Sequence, residues 1–302
     1  MDGPKDNPKR LAHLLDEVAV QEGVHPTLVE GVQVARRSQP LPRTPIIYTP
    51  RILIVGQGQK RAYLGEKVYA YDPSHYLIAP VPLPAECEAM EASPEKPVLL
   101  VGVHVDAAML GELILELDEP LAPPAGPTPR GIAAAPMSPE LSGAVIRLLE
   151  CLKCPLDSRL LGRQTVREIF YWVLRSEHGG ALRALASRDE HFSRIAGVLK
   201  HLHAAYAEPF RAEGLAQRAG MSVSVFHHHF KLVTATSPGQ YLKRIRLDQA
   251  RRLMVHDGYN AGGAARAVGY ESRSQFSREF KRLFGVTPVE GAEHTRARLV
   301  AP

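Results

Sequence analysis

Cysteine is scarce in this chain: Cys87, Cys151 and Cys154 are the only three among 302 residues. So few exclude a disulfide framework and point to a reducing compartment. No stretch approaches the ~20 uninterrupted apolar residues of a membrane span, and the opening MDGPKDNPKR lacks the apolar core of a secretion signal. A cytoplasmic protein without a membrane partner is expected. Phosphate-cradling loops are lacking too: Gly56-Gln-Gly58-Gln-Lys60 has neither the dinucleotide-binding nor the P-loop spacing and reads as a tight turn.

The chain is too long for one ordinary core and suggests two domains. Its composition, 45% hydrophobic and 23% charged, is that of a globular protein. The net charge of +5 is unevenly placed. Residues 188–302 hold 18 Lys+Arg against 10 Asp+Glu, whereas residues 1–187 hold 19 against 22. A positive excess confined to the C-terminal third fits a polyanion partner, because each neutralised phosphate releases counterions.

Residues 44–105 read as β structure. Short apolar or alternating runs, Arg51–Val55, Lys67–Tyr71, His75–Ala79 and Val98–Val103, are punctuated by Gly and Pro, as in a sandwich or barrel. Residues 64–67 and 72–74 read as turns. The proline-rich stretch 120–139 excludes a helix or a central strand and reads as a loop. Beyond it the period changes from 2 to 3.6. Leu141, Val145, Leu148 and Leu152 follow a 4-3-4 spacing that makes one helical stripe, packed either on the chain's own barrel or along a dimer seam. A second helix is expected over about 163–175.

The strongest signal is an internal repeat. At an offset of 50 residues, Ser222 aligns with Ser272, Ser224 with Ser274, Phe226 with Phe276, Phe230 with Phe280, Lys231 with Lys281 and Pro238 with Pro288. An Ala-rich segment ending in Gly220 or Gly269 precedes each copy, so each unit reads as helix, glycine turn, serine N-cap, helix. That is a helix-turn-helix, whose second helix enters the major groove. With Phe226 and Phe230, and Phe276, Phe280 and Phe284, on the buried faces, the outward positions are Ser224, His227 and His228 in one copy and Arg273, Ser274, Ser277 and Arg278 in the other. A connecting helix over 238–255 spans roughly 26 Å, a strut that sets the two units about one duplex turn, ~34 Å, apart.

The runs Gly220-Met-Ser, Phe226-His-His-His-Phe230-Lys, Ser237-Pro238, Arg246-Leu, Ala250-Arg-Arg-Leu253, Gly269-Tyr270-Glu-Ser, Gln275-Phe-Ser-Arg278 and Phe284-Gly285-Val-Thr-Pro288 resemble the AraC/XylS DNA-binding domain over about a hundred residues. The first half, with Tyr71-Asp-Pro-Ser-His75 and Glu91-Ala-Ser-Pro-Glu-Lys-Pro97, is similar to the N-terminal domain of one AraC-type subgroup. The resemblance implies an α+β protein: a cupin-like β-barrel with a helical extension, then an all-α double helix-turn-helix. The expected divisions are a flexible N-terminus (1–20), a regulatory domain (21–187), a DNA-binding domain (188–291) and a tail (292–302). Expected partners are double-stranded DNA, a small-molecule effector bound in the N-terminal domain, a second copy in a homodimer, and RNA polymerase.

By the same resemblance, base edges fall to the seven outward residues just named. Arginine grips guanine with two bonds, so the second helix should read more sharply than the histidine-bearing first. Lys231, Lys243, Arg244, Lys281 and Arg282 are assigned to phosphates. Where the family commonly carries glycine at the end of the first recognition helix, this chain has Ala235, whose repeat partner is Gly285. If Ala235 takes positive φ, the site is strained.

No cofactor, metal or catalytic residue is expected. Metal cupins cluster histidines with a glutamate, but His75 and His104 are scattered, and the adjacent His227, His228 and His229 point in different directions on a helix. Cys151 and Cys154 form a CxxC spacing that, on one helix, would share a face; they read first as packed apolar residues, with a thiol sensor as the alternative. Cys87 belongs to the same sensor alternative, although it is flanked by acids that would blunt its reactivity. A barrel enzyme fused to a DNA reader is the alternative that the missing ligand cluster argues against.

Overall fold

The computed structural model describes residues 7–117, 129–186 and 191–293. The N-terminal domain is built on two antiparallel sheets. Its strands are β1 (Gly23–Pro26), β2 (Val32–Arg37), β3 (Leu41–Tyr48), β4 (Arg51–Gln57), β5 (Lys60–Leu64), β6 (Lys67–Tyr71), β7 (His75–Ala79), β8 (Leu83–Ala89), β9 (Val98–His104) and β10 (Ala133–Pro136). Their spatial orders are β1-β2-β9-β4-β7-β10 and β3-β8-β5-β6.

The six-stranded sheet is covered on both faces, which is why β4 and β9 read as continuous apolar runs rather than alternating ones. On β4, Ile52 and Ile54 point outward into a core with the helices, while Leu53 and Val55 point inward between the sheets. The outward face is covered by α1 (Asn7–Val18), α2 (Ala107–Glu116), α3 (Pro139–Leu152) and α4 (Pro155–Arg175).

Helix α1 occupies residues 7–18 of the expected flexible N-terminus, whose first six residues lie outside the described part. Leu11, Leu14 and Leu15 make an i, i+3, i+4 stripe that is buried on the sheet. Gly56 of β4 admits this close approach, since a Cβ there would stand 2.4 Å from Leu15 Cδ1. Arg10 pairs with Glu150, Arg36 with Asp16, and Lys153 Nζ with Glu17 at 2.7 Å.

The α3 stripe is intramolecular. Leu141, Val145 and Leu148 are buried and Leu152 packs against the same core, so these four positions are not available as a dimer seam. Helix α4 starts at Pro155, eight residues before the expected start, because Pro suits the first helical turn. The stretch expected as a loop over 120–139 contains β10, an edge strand on β7, consistent with its prolines; residues 120–128 of it lie outside the described part. Cys151 lies in the last turn of α3 and Cys154 is the N-cap of α4, so the pair does not share one helical face. Cys87 lies in β8, not in a loop, and is buried.

Among the described residues further helices follow: α5 (Gly180–Ala186), α6 (His191–Ala204), α7 (Ala212–Arg218), α8 (Val223–Thr234), α9 (Pro238–His256), α10 (Ala261–Ala267) and α11 (Arg273–Phe284). Residues 288–293 are also helical, so the expected tail begins within a helix. The C-terminal helices do not share a single core. Phe226, Phe230, Val233, Tyr241 and Ile245 belong to one continuous cluster with the interior of the barrel, whereas Leu247, Ala250, Met254, Phe276 and Phe280 form a separate one.

Candidate nucleic-acid interface

Each repeat copy builds its turn in the same way. Gly220 (φ +62°) and Gly269 (φ +82°) take the left-handed conformation that reverses the chain without a Cβ penalty. Met221 N–H donates to Ala216 C=O and Tyr270 N–H to Ala265 C=O, closing the ends of α7 and α10. The hydroxyls of Ser222 and Ser272 then accept from Val225 and Gln275 N–H, starting α8 and α11.

The inward faces are aromatic. Phe226 and Phe230 are fully buried at a 5.5 Å ring spacing, and Phe230 meets Tyr241 edge-on at 5.4 Å; Phe276 and Phe280 repeat the motif at 5.7 Å. The opposite faces are open: Ser224, His227 and His228 on α8, and Arg273, Ser274, Ser277 and Arg278 on α11, are all exposed. Both sets start within the first two turns of their helices, the end that a recognition helix presents to base edges. Arg273 lies over Gly262 of α10, where a Cβ would come within 2.9 Å of the guanidinium.

The cationic flank divides. Lys231, Lys281 and Arg282 are exposed and have no ion pair among the described residues. Lys243 and Arg244, assigned to phosphates from the sequence, have other neighbours. Lys243 Nζ lies 2.8 Å from Glu279 Oε1. Arg244 is half-buried in a groove lined by Ile46 and Ala85 of the barrel and by Leu283 and Phe284 at the end of α11.

Sequence reasoning missed three ties between elements. Arg246 of α9 donates to the carbonyls of Tyr206 (2.7 Å), Glu208 (2.8 Å) and Gly269 (3.1 Å), stapling the second turn to the segment after α6. The Arg246-Leu pair of the family pattern was its only signal. Tyr241 OH donates to Pro82 C=O of the barrel at 2.7 Å and lies 2.9 Å from His203 Nε2. Burial, and then the Arg252 charge, hold the His203 imidazole down at about 4, so it is neutral here. Gly131 N–H, just before β10, donates to Val233 C=O at the end of α8 at 2.9 Å. Such contacts join residues far apart in sequence, where periodicity is blind.

The histidines of α8 are arranged by packing. His229 stacks on His191 of α6 at 3.9 Å between ring centroids, and burial followed by His191 and His228 pushes its imidazole below the ordinary value. Among the described residues no group of three His, Cys, Asp or Glu could hold a metal ion. Cys151 is buried, and its thiol is pushed up by burial and by the carboxylates of Asp157 and Glu150, which disfavours the reactive thiolate.

Two repeated helices with open polar faces, carried on a connecting helix and joined to a barrel, have the layout of a DNA-binding regulator. Residues 28–181 match the family described as AraC-type transcriptional regulator N-terminus, and residues 215–293 match the one described as Helix-turn-helix domain. The chain belongs to the AraC-type transcriptional regulators.

Among its relatives, the Virulence regulon transcriptional activator VirF of Yersinia enterocolitica is 23% identical over 250 residues, covering 79% of this chain and 87% of VirF. The HTH-type transcriptional activator RhaS of Escherichia fergusonii is 32% identical over 98 residues, 32% of this chain and 35% of RhaS. This chain thus spans about a third of the length of that relative. The fold is that of ToxT from Vibrio cholerae: apo ToxT K231A superposes with a TM-score of 0.58 at 11% identity, covering 90% of this chain and 99% of ToxT. A ToxT structure described as unsaturated fatty acid bound gives the same TM-score over 86% of this chain and 93% of that one. No helix among the described residues is long and apolar enough to cross a membrane.

Proposed function

We propose that the protein is a sequence-specific transcription factor that reads two successive major-groove segments of double-stranded DNA, one with α8 and one with α11. The observation that carries this reading is the repeated unit, whose aromatic face is buried and whose Ser/His or Arg/Ser face is open in each copy. Ser224, His227 and His228 would meet bases of the first segment, and Arg273, Ser274, Ser277 and Arg278 those of the second, with Lys231, Lys281 and Arg282 on phosphates. Footprinting on DNA upstream of its own and neighbouring genes, at two salt concentrations and beside Arg278→Ala, tests it. About two helical turns protected per protomer, with sequence preference lost in the second half for the variant, is the expected result; diffuse, salt-abolished binding overturns it.

The effector belongs in the reading. Inside the barrel, Tyr48, Tyr71 and Cys87 are buried and their polar atoms meet each other. A cleft of about 1320 Å³, lined mostly by residues of the N-terminal domain, opens between the barrel, α4, α6 and α9. Arg159, Arg163 and Lys200 line it without a carboxylate partner among the described residues, beside apolar Leu28, Ile47 and Val166. Glu30, Asp106 and Asp248 also line the cleft, the last beside Arg252 at 3.4 Å, so the Arg159, Arg163 and Lys200 side is the part that suits an apolar carboxylate, the class that the ToxT neighbour holds. A long-chain unsaturated fatty acid should raise the melting temperature of the native protein and not that of Arg159→Ala/Lys200→Ala; equal shifts in both remove the cleft from the reading. A homodimer, if it accompanies this activity, uses a surface other than the α3 stripe, and contact with RNA polymerase belongs to the same reading.

A further inference from the structure

Glu279 occupies the flank of α11 between its buried and open faces, and three groups converge on it. Lys243 Nζ of α9 lies 2.8 Å from Oε1, Tyr270 OH of the turn donates to Oε2 at 2.7 Å, and Gln275 Nε2 donates to Oε1 at 3.3 Å. Its side chain is 12% exposed. Burial raises the carboxyl, yet the bonds from Lys243, Tyr270 and Gln275 together leave it below the ordinary value, so it is ionised. Charge-assisted bonds of this kind are shorter and more directional than neutral ones.

The offset of 50 residues places His229, an imidazole stacked on His191, at the matching position of the first unit. The glutamate tie thus belongs to the second unit, the one whose open face carries the two arginines. Bidentate readout by a guanidinium tolerates little rotation of its helix, more so than single bonds from serine or imidazole. The same contact engages Lys243, the one cation of the expected phosphate set that is ion-paired among the described residues.

We propose that Glu279 is the positioning residue of the second reading helix: by holding Lys243 and Tyr270 it fixes the rotation of α11 against α9 and keeps Lys243 off the DNA backbone. This rests on the reading of α11 as a base-contacting helix, and Arg278→Ala tests that premise separately.

The test measures binding of the full chain to a duplex carrying its footprinted site, and to one with the second segment scrambled, across a salt series. In Lys243→Met the slope of log K against log salt stays that of the native protein, while the preference for the intact second segment falls roughly tenfold. In Glu279→Gln the preference falls similarly, and the slope steepens by about 0.9 as Lys243 is freed to a phosphate. A slope shallower by about 0.9 in Lys243→Met makes Lys243 a phosphate contact and overturns the proposal, as does an unchanged preference in both variants when Arg278→Ala lowers it. If Glu279→Gln does not fold, Lys243→Met decides alone. No loss of preference in Arg278→Ala instead removes the underlying reading.

Discussion

At residue scale, two side chains sit in environments that ought to show in stability. Ala235 ends α8 with φ +56°, the only non-glycine residue with positive φ among those described, and its repeat partner Gly285 sits at +78°. An L-residue there costs about 1 kcal/mol relative to glycine. Ala235→Gly is expected to raise the melting temperature by that equivalent; an unchanged or lower midpoint overturns the strain argument. The second side chain is His203. Its folded value of about 4 lies below the ordinary 6.5, so the unfolded chain takes up the proton first. The stabilisation is fully present above pH 6.5, is lost as the pH falls from there toward 4, and changes no further below. The loss amounts to about 3 kcal/mol. Urea unfolding at pH 7 and pH 4.5 should show it in the native chain and show a smaller drop in His203→Gln; equal drops would assign the acid sensitivity to other groups.

At the scale of elements, Gly131 is the sharpest handle. A Cβ there would stand 2.9 Å from Val233 C=O, Leu83 Cδ1 and Val81 Cγ2, so the β10 approach and the end of α8 touch without room for a methyl group. Gly131→Ala should destabilise the protein by roughly 1–3 kcal/mol and raise amide exchange at the end of α8 while leaving α11 protected. Unaltered exchange in α8 would mean that the contact does not hold the two elements together. Such junctions were invisible in sequence, because they join Gly131 to Val233 and Tyr241 to Pro82 across more than a hundred residues. The legible parts depended on short-range rules. Serine caps, glycine turns and the Phe226/Phe230 and Phe276/Phe280 pairs placed both reading units. The runs in β4, β6, β7 and β9 marked the sheets, whereas β1, β2 and the whole of α1 lay outside the range read as barrel. Lys243 and Arg244 show a related limit: a helical wheel shows which way a cation points, but not that Glu279 lies 2.8 Å from Lys243 or that a sheet edge borders Arg244.

At the scale of the molecule, the domain boundary drawn near residue 188 does not coincide with the cores. The first unit completes its core against the barrel, and the second is self-contained around Phe276 and Phe280. Helix α9 spans both, with Tyr241 and Ile245 in one and Leu247 and Met254 in the other. A fragment of residues 188–302 should therefore show native-like exchange protection over 247–284 and reduced protection over 212–245. Equal protection of both units would show that the barrel is dispensable to the first. A ligand in the proposed cleft between barrel, α6 and α9 would thus act beside one reader before the other.

The shared core makes the molecule resemble a caliper with unequal jaws: one is machined into the body, and the other rides on the beam of α9. Base pairs inserted between the two DNA segments would be met by bending or turning that beam rather than by moving the fixed jaw, so tolerance to spacing in the operator resides in the Arg246 staple and the Lys243–Glu279 tie.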